Sequence, residues 1–186
     1  MSPRTSALLQ QLELRSGDWR LCQIANRWCA RVAIARFFAI ISRLGDGLFW
    51  YGLMAIMLAT GGAYGAKAAL HLALTGLVAL ALYRGLKRWT RRPRPFRSHV
   101  GIIVRVAPLD EFSFPSGHTL HAVSFTLIAI AWYPQLACVL WPFTALVAMS
   151  RVVLGLHYPS DVIAAALIGV ALSAVSLWLV PGATLF

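Results

Sequence analysis

The chain has 186 residues, 59% of them hydrophobic and 12% charged, with 17 Lys and Arg against 6 acids and a net charge of +11. A soluble domain carries about 25% charged residues, and a buried core alone cannot account for so large a deficit, so a membrane protein is expected, with an all-buried soluble helical core as the alternative. The positive balance suits anionic lipid headgroups or a phosphate-bearing substrate, whereas nucleic acid is not expected, because the basic residues lie among apolar stretches and in no nucleic-acid-binding motif.

Residues 1–45 are mixed in character and read as an N-terminal amphipathic, interfacial segment. Arg20, Arg27 and Arg31 fall near one helical face, with Trp19, Ile24 and Trp28 interleaved, which suits a helix lying among headgroups. Arg36 and Arg43 make residues 30–44 a poor span, although a crossing there would add one to the count. Cys22, Cys29 and Cys138 form neither a metal pattern nor a disulfide framework and read as apolar residues. The N-terminus shows no cleavable signal peptide.

From residue 46 to 186 the pattern is that of a transmembrane bundle. Residues 47–66, 68–83, 112–150 and 162–186 contain no Lys, Arg, Asp or Glu, and a hydrocarbon layer asks for about 20 such residues per helix. Gly45-Asp46-Gly47 breaks the helical pattern ahead of a first span at 48–60, which Gly61-Gly62 ends. A second span covers 66–86, with Lys67 and Arg84 able to snorkel. A basic, proline-bearing loop follows, and Pro134 divides the next long stretch into spans at 118–133 and 135–150. Pro142 should kink the latter, and a last span runs from Pro159 to about residue 180. The expected fold is therefore all-α, an integral membrane bundle of about five to six transmembrane helices.

Outside the N-terminal segment, most polar residues fall in three clusters. These are Lys87 to Pro95, Pro115-Ser116-Gly117-His118, and Ser150-Arg151 with His157 and Asp161. The first ends the second span, the next begins the third, and the last joins the final two. Because consecutive spans reverse direction, all three should emerge at one membrane face.

The residue types suit phosphoryl chemistry. Lys87, Arg94 and Arg151 can neutralise phosphate oxygens, guanidinium forks doing so bidentately. Ser116 occupies an N-cap position, so the N–H groups of Gly117 and His118 can point at an anion. Asp161, four residues after His157, can hold one imidazole nitrogen and leave the other as nucleophile or base. His118 is then free to act as general acid.

Lys87-x6-Arg94-Pro95, Pro115-Ser116-Gly117-His118 and Ser150-Arg151-x5-His157-x3-Asp161 together resemble the type 2 phosphatidic acid phosphatase superfamily. The resemblance implies that His157 attacks phosphorus, with Asp161 orienting it, and becomes phosphohistidine. His118 would protonate the leaving group and then activate water, while Lys87, Arg94, Ser116, Gly117 and Arg151 bind phosphate oxygens. It further implies no metal and no other cofactor, a phosphorylated membrane lipid as substrate, and a bacterial inner-membrane protein with its site on the extracytoplasmic side. The pocket motifs do not choose among lipids. Undecaprenyl pyrophosphate and phosphatidylglycerophosphate are favoured, with phosphatidic acid, lipid A phosphate, or non-catalytic binding or transport of an anionic lipid as the alternatives. Loop charge points the other way on orientation, because the motif face carries most of the loop Lys and Arg and positive charge favours the cytoplasm.

The remaining polar residues read more plainly. Arg88, Arg91 and Arg92 are expected as interfacial anchors, and His71 and His99 as structural. Asp110 and Glu111 are expected to keep their loop solvated. His121, one turn past His118, is near enough to line the pocket.

Overall fold

The computed structural model describes residues 17–108 and 110–180, and within them all regular structure is helical. The expectations for residues 1–16 and for residues 181–186 lie outside the described residues. Two helices come first, α1 (Asp18–Asn26) and α2 (Val32–Arg43), joined by a 3₁₀ turn at Arg27–Ala30. A π-type turn at Leu44–Leu48 carries α2 into α3 (Phe49–Thr60). Then follow α4 (Gly62–Thr90), a helical turn at Pro95–Ser98, α5 (Gly117–Trp132), α6 (Ala137–Val153) and α7 (Pro159–Leu179).

The four clear spans after the first match α4 to α7 closely, because Gly and Pro punctuate charge-free stretches at each boundary. Gly62–Ser98, Pro134–Val153 and Pro159–Leu179 are long and apolar enough to cross a bilayer by length and composition. Large side chains such as Leu70, Leu74, Ile163, Leu167 and Trp178 are exposed along the bundle. That outward face suits lipid, since a protein of this size in water rarely leaves so much contiguous apolar surface bare.

Gly45-Asp46-Gly47 breaks the helical pattern as expected: Gly47 has φ 142°, outside the helical range and a conformation that only glycine adopts without strain, and two helices meet there at a kink. Ala35 and Phe38 of α2 pack with Val153, Leu154 and Leu156 at the motif end of α6. Gly61, at the close of α3, lies beside the Tyr133 hydroxyl at the opposite end. Residues 32–60 thus form one kinked path along α6, and the described residues make five helical paths. Arg20, Arg27 and Arg31 lie toward the motif end.

The core differs along the bundle. Trp50, Phe125 and Phe143 form an aromatic cluster between α3, α5 and α6, with Trp50 and Phe125 ring centroids 5.2 Å apart. Toward the end away from the motifs, polar side chains connect α4, α5 and α7. Trp132 Nε1 donates to His71 Nδ1 at 3.0 Å, and His71 Nε2 and Thr75 Oγ1 meet Ser176 Oγ at 2.8 and 2.9 Å. Thr126 and Thr144 hydroxyls join α5 to α6 at 2.6 Å. His71 is therefore structural, as expected, and His99 stacks on Trp19 with centroids 4.1 Å apart.

Candidate active site

The antiparallel order brings the three motif clusters to one end of the bundle, around a cavity of about 730 Å³. Its polar wall holds Lys87, Arg94, Gly117, His118, Arg151 and His157. Its apolar wall is built from Trp50, Tyr51 and Met54 of α3 and Ala73, Leu77 and Leu80 of α4. Ser116 and Asp161 stand behind the polar wall, fully buried. His121 lines the cavity too.

Ser116 is the N-cap of α5, where its Oγ accepts from Thr119 N at 3.4 Å. Its own N–H donates to the Asp161 carbonyl at 3.3 Å, which ties the start of α5 to the start of α7. A Cβ on Gly117 would stand 3.4 Å from the Tyr83 ring, an ordinary van der Waals contact, so the helix start lies against α4.

His157 lies in the short connection between α6 and α7, 1% exposed. Arg94 Nη1 points at its Nε2 from 3.2 Å and also donates to the Leu156 carbonyl at 2.7 Å. An arginine only donates, so Nε2 is the acceptor nitrogen and the ring proton sits on Nδ1. Nδ1 faces Asp161 Oδ2 at 3.6 Å, outside hydrogen-bond range, and has no other partner among the described residues. Burial, reinforced by the positive charge of Arg94, Arg151 and Lys87, holds the His157 pKa well below its ordinary value. The imidazole is therefore neutral at pH 7, with its Nε2 lone pair directed at the cationic side of the cavity.

Asp161 is anchored on both oxygens. Tyr158 N donates to Oδ2 at 2.9 Å, and Arg92 Nη1 donates to Oδ1 at 2.6 Å. Arg92 also reaches Ser160 Oγ at 2.7 Å and Asp18 Oδ2 at 2.9 Å, and its guanidinium lies 4.2 Å above the Tyr158 ring. Asp18 in turn accepts from Ser160 N at 2.9 Å and contacts the Ser160 hydroxyl. Arg92, expected as a headgroup anchor, is instead a largely buried link between α1 and the site.

Asp110 also departs from expectation. Its carboxylate accepts from Lys87 Nζ at 2.6 and 2.8 Å and from Arg94 Nη2 at 2.7 Å. Burial alone would raise its pKa, but these partners outweigh burial and hold it below the usual aspartate value. An internal anion therefore sits on two cations that the motifs assign to phosphate. Arg151 is 2% exposed, with Nη1 against Ser42 Oγ and Nε lacking an acceptor among the described residues. A buried N–H without an acceptor is costly, and a phosphate oxygen would supply the missing one. His118 Nε2 meets Asp46 Oδ1 on the π-type turn. Nothing in the spacing of the sequence marks Asp18, Ser42 or Asp46 as neighbours of the motifs, or singles out Arg92 within the first cluster as the partner of Asp161.

A helical membrane bundle thus holds an imidazole and several cations at the foot of a half-apolar cavity. The chain belongs to the PAP2 superfamily, whose family model matches residues 67–185. It is 40% identical over 80 residues to phosphatidylglycerophosphatase B of Escherichia coli (strain K12), a match covering 37% of this chain and 29% of that protein. It is 43% identical over 98 residues to decaprenylphosphoryl-5-phosphoribose phosphatase of Mycobacterium tuberculosis (strain ATCC 25618 / H37Rv), covering 52% of this chain and 50% of that one. The chain thus spans half or less of the length of these relatives. Its fold resembles the transmembrane PAP2 type phosphatidylglycerolphosphate phosphatase of Bacillus subtilis, with TM-score 0.74 and 23% identity over 94% of this chain and 90% of that one. Aquifex aeolicus LpxE superimposes with TM-score 0.76 and 25% identity, covering 88% of this chain and 96% of that one.

Proposed function

We propose that the protein is a lipid phosphatase that hydrolyses a phosphate monoester or pyrophosphate through a phosphohistidine on His157. The observation that carries this reading is the neutral His157, its acceptor Nε2 directed among Lys87, Arg94 and Arg151 in a cavity whose other wall is apolar. The cationic wall suits a phosphate and the apolar wall an acyl or prenyl chain, so one ligand with both parts fits the cavity.

In the first step the His157 Nε2 lone pair forms a bond to phosphorus while the bond to the leaving oxygen breaks. His118 gives that oxygen a proton. Lys87, Arg94, Arg151 and the N–H groups at the start of α5 stabilise the charge gathering on the peripheral phosphoryl oxygens, and Ser116 fixes that helix start. In the second step His118 takes a proton from water, the hydroxyl attacks phosphorus, and the N–P bond breaks to release phosphate and regenerate neutral His157. Asp161 stabilises the Nδ1 proton throughout. Side-chain cations meet the whole charge demand, so the reaction as proposed uses no metal.

For substrate we propose phosphatidylglycerophosphate or undecaprenyl pyrophosphate. The names of the relatives support a lipid phosphate in general, and the cavity binds the shared phosphate. We further propose a bacterial inner membrane location with the motif end extracytoplasmic, and residues 1–45 as an interfacial segment. In support of the last, Leu21, Ile24 and Trp28 are exposed beside exposed Arg20, Arg27 and Arg31. The test is phosphate release by purified protein from a panel of phospholipids and polyprenyl pyrophosphates, with His157→Ala as comparison. Hydrolysis of at least one lipid, abolished in the folded variant, is the expected result. Near wild-type turnover by His157→Ala would remove the phosphohistidine mechanism.

A further inference from the structure

We propose that Asp46 is a positioning residue for His118, so that the site contains two His–Asp pairs, one for each imidazole that the reaction uses. This inference rests on the roles proposed above for His157 and His118. The carboxylate comes from the π-type turn between α2 and α3, far from the signature motifs in sequence. Asp46 Oδ1 contacts His118 Nε2, and the two side chains are 34% and 10% exposed.

The turn is built to make this contact. Gly47 takes φ 142°, which bends the chain so that residue 46 faces the start of α5. At Gly45 a Cβ would stand 3.1 Å from both methyl groups of Val147 and 3.8 Å from His118 Cδ2. Glycine there lets the turn approach α6 and the imidazole together. The Cδ2–Nε2 edge of His118 therefore faces the turn, and Nδ1 lies on the other edge, with no protein partner among the described residues. An Nε2 proton held by a carboxylate leaves Nδ1 as the nitrogen that gives and takes the transferred proton. One helical turn earlier, Ser42 contacts Arg151 Nη1, so the same face of the first kinked path supports two motif residues.

Asp46 has no competitor for this task. The charged groups around His118 are Arg151 from α6, His121 one turn further along α5, His157 from the α6–α7 connection, and Lys87 and Arg94 across the cavity. Of the other two acids lining the cavity, Asp110 is engaged by Lys87 and Arg94, and Glu111 pairs with Arg97. In such a cationic cavity a protonated imidazole is repelled, and an adjacent carboxylate offsets that repulsion when His118 must carry a proton.

The experiment compares two tailed substrates. One is an alkyl phosphate, whose leaving oxygen needs a proton, and the other an aryl phosphate that releases nitrophenolate, which does not. Asp46→Asn and Asp46→Ser should each lose about 10²-fold on the alkyl phosphate, the low end of what general acid–base catalysis contributes. On the aryl phosphate they should retain the rapid first burst of nitrophenolate. Phosphohistidine should then accumulate, because water activation is slow. On a His118→Ala background either substitution should cost nothing further. Equal losses on both substrates, or a full additional loss without His118, would show that Asp46 only supports the fold and would overturn the proposal. If wild-type protein forms no phosphohistidine at all, the underlying mechanism fails first, and that result is distinct from either outcome for Asp46.

Discussion

Replacing Arg92 with leucine separates the two roles that a basic residue in this loop can have. Asp161 has no exposed side-chain surface, that of Asp18 is 8% exposed, and Arg92 pairs with both, at 2.6 and 2.9 Å. Removing one partner from a buried ion pair costs about 3–5 kcal/mol, because the remaining charge stays buried without compensation. Here each carboxylate keeps a backbone donor, Tyr158 N for Asp161 and Ser160 N for Asp18. The lower end, about 3 kcal/mol, is therefore the expected loss for Arg92→Leu. Exposed Arg88 provides a control of equal charge, for which a surface substitution should change stability by less than about 0.5 kcal/mol. Denaturant titration in detergent micelles measures both, with helix content as the signal. If Arg92→Leu proved as stable as Arg88→Leu, the buried link between α1 and Asp161 would be wrong, and Arg92 would be the headgroup anchor that its sequence setting suggests.

Asp110→Asn removes the anion that occupies the Lys87–Arg94 cradle; with Asp110 37% exposed, we expect about 1 kcal/mol of relief, or about fivefold tighter binding of vanadate or phosphate by titration. The sign with pH follows from its lowered pKa: the cradle contact stabilises the fold fully above the ordinary aspartate value and is lost as pH falls through the lower folded value, so mild acid down to that range should leave it intact. Chelation by EDTA should leave hydrolysis unchanged while vanadate inhibits; complete loss restored by a divalent ion would remove the metal-free mechanism. Cysteine labelling at Ser98 and Gly62 should report opposite faces, with Ser98 extracytoplasmic. Loop charge alone argues for the reverse, so a cytoplasmic Ser98 would redirect the search to cytoplasmic-leaflet lipids.

Much of this arrangement is legible in the sequence. Charge-free windows closed by Gly and Pro delimit α4 to α7 within a few residues, and span parity alone brings Lys87, His118 and His157 to one end. What is not legible lies in contacts between distant residues. Gly45-Asp46-Gly47 carries a breaker signal that the kink at Gly47 bears out, but its composition does not show that Asp46 meets His118. Asp18 and Ser160 are 142 positions apart, and Ser42 and Arg151 are 109 apart, so no local period relates them. Asp110 was misleading for another reason. An acid in a basic loop looks like a solvated charge, and only folding shows that two motif cations close around it.

The hydrogen bonds that join α4, α5, α6 and α7 have a consequence for how a lipid could reach the cavity. Each such bond within a bilayer contributes roughly 0.6–2 kcal/mol, and Trp132–His71, His71–Ser176, Thr75–Ser176 and Thr126–Thr144 together fasten four helices directionally. Among the described residues no side-chain hydrogen bond joins α3 to another helix; it packs through Phe49, Trp50, Leu53, Met54 and Met57, with the Met57 carbonyl close against Gly65 of α4. Four helices are thus joined by directional bonds, while α3, set off from α2 by the kink at Gly47, is held by close apolar packing and carries Trp50, Tyr51 and Met54 on the cavity side. Sideways admission of a long chain from the bilayer beside α3 would break none of these four bonds.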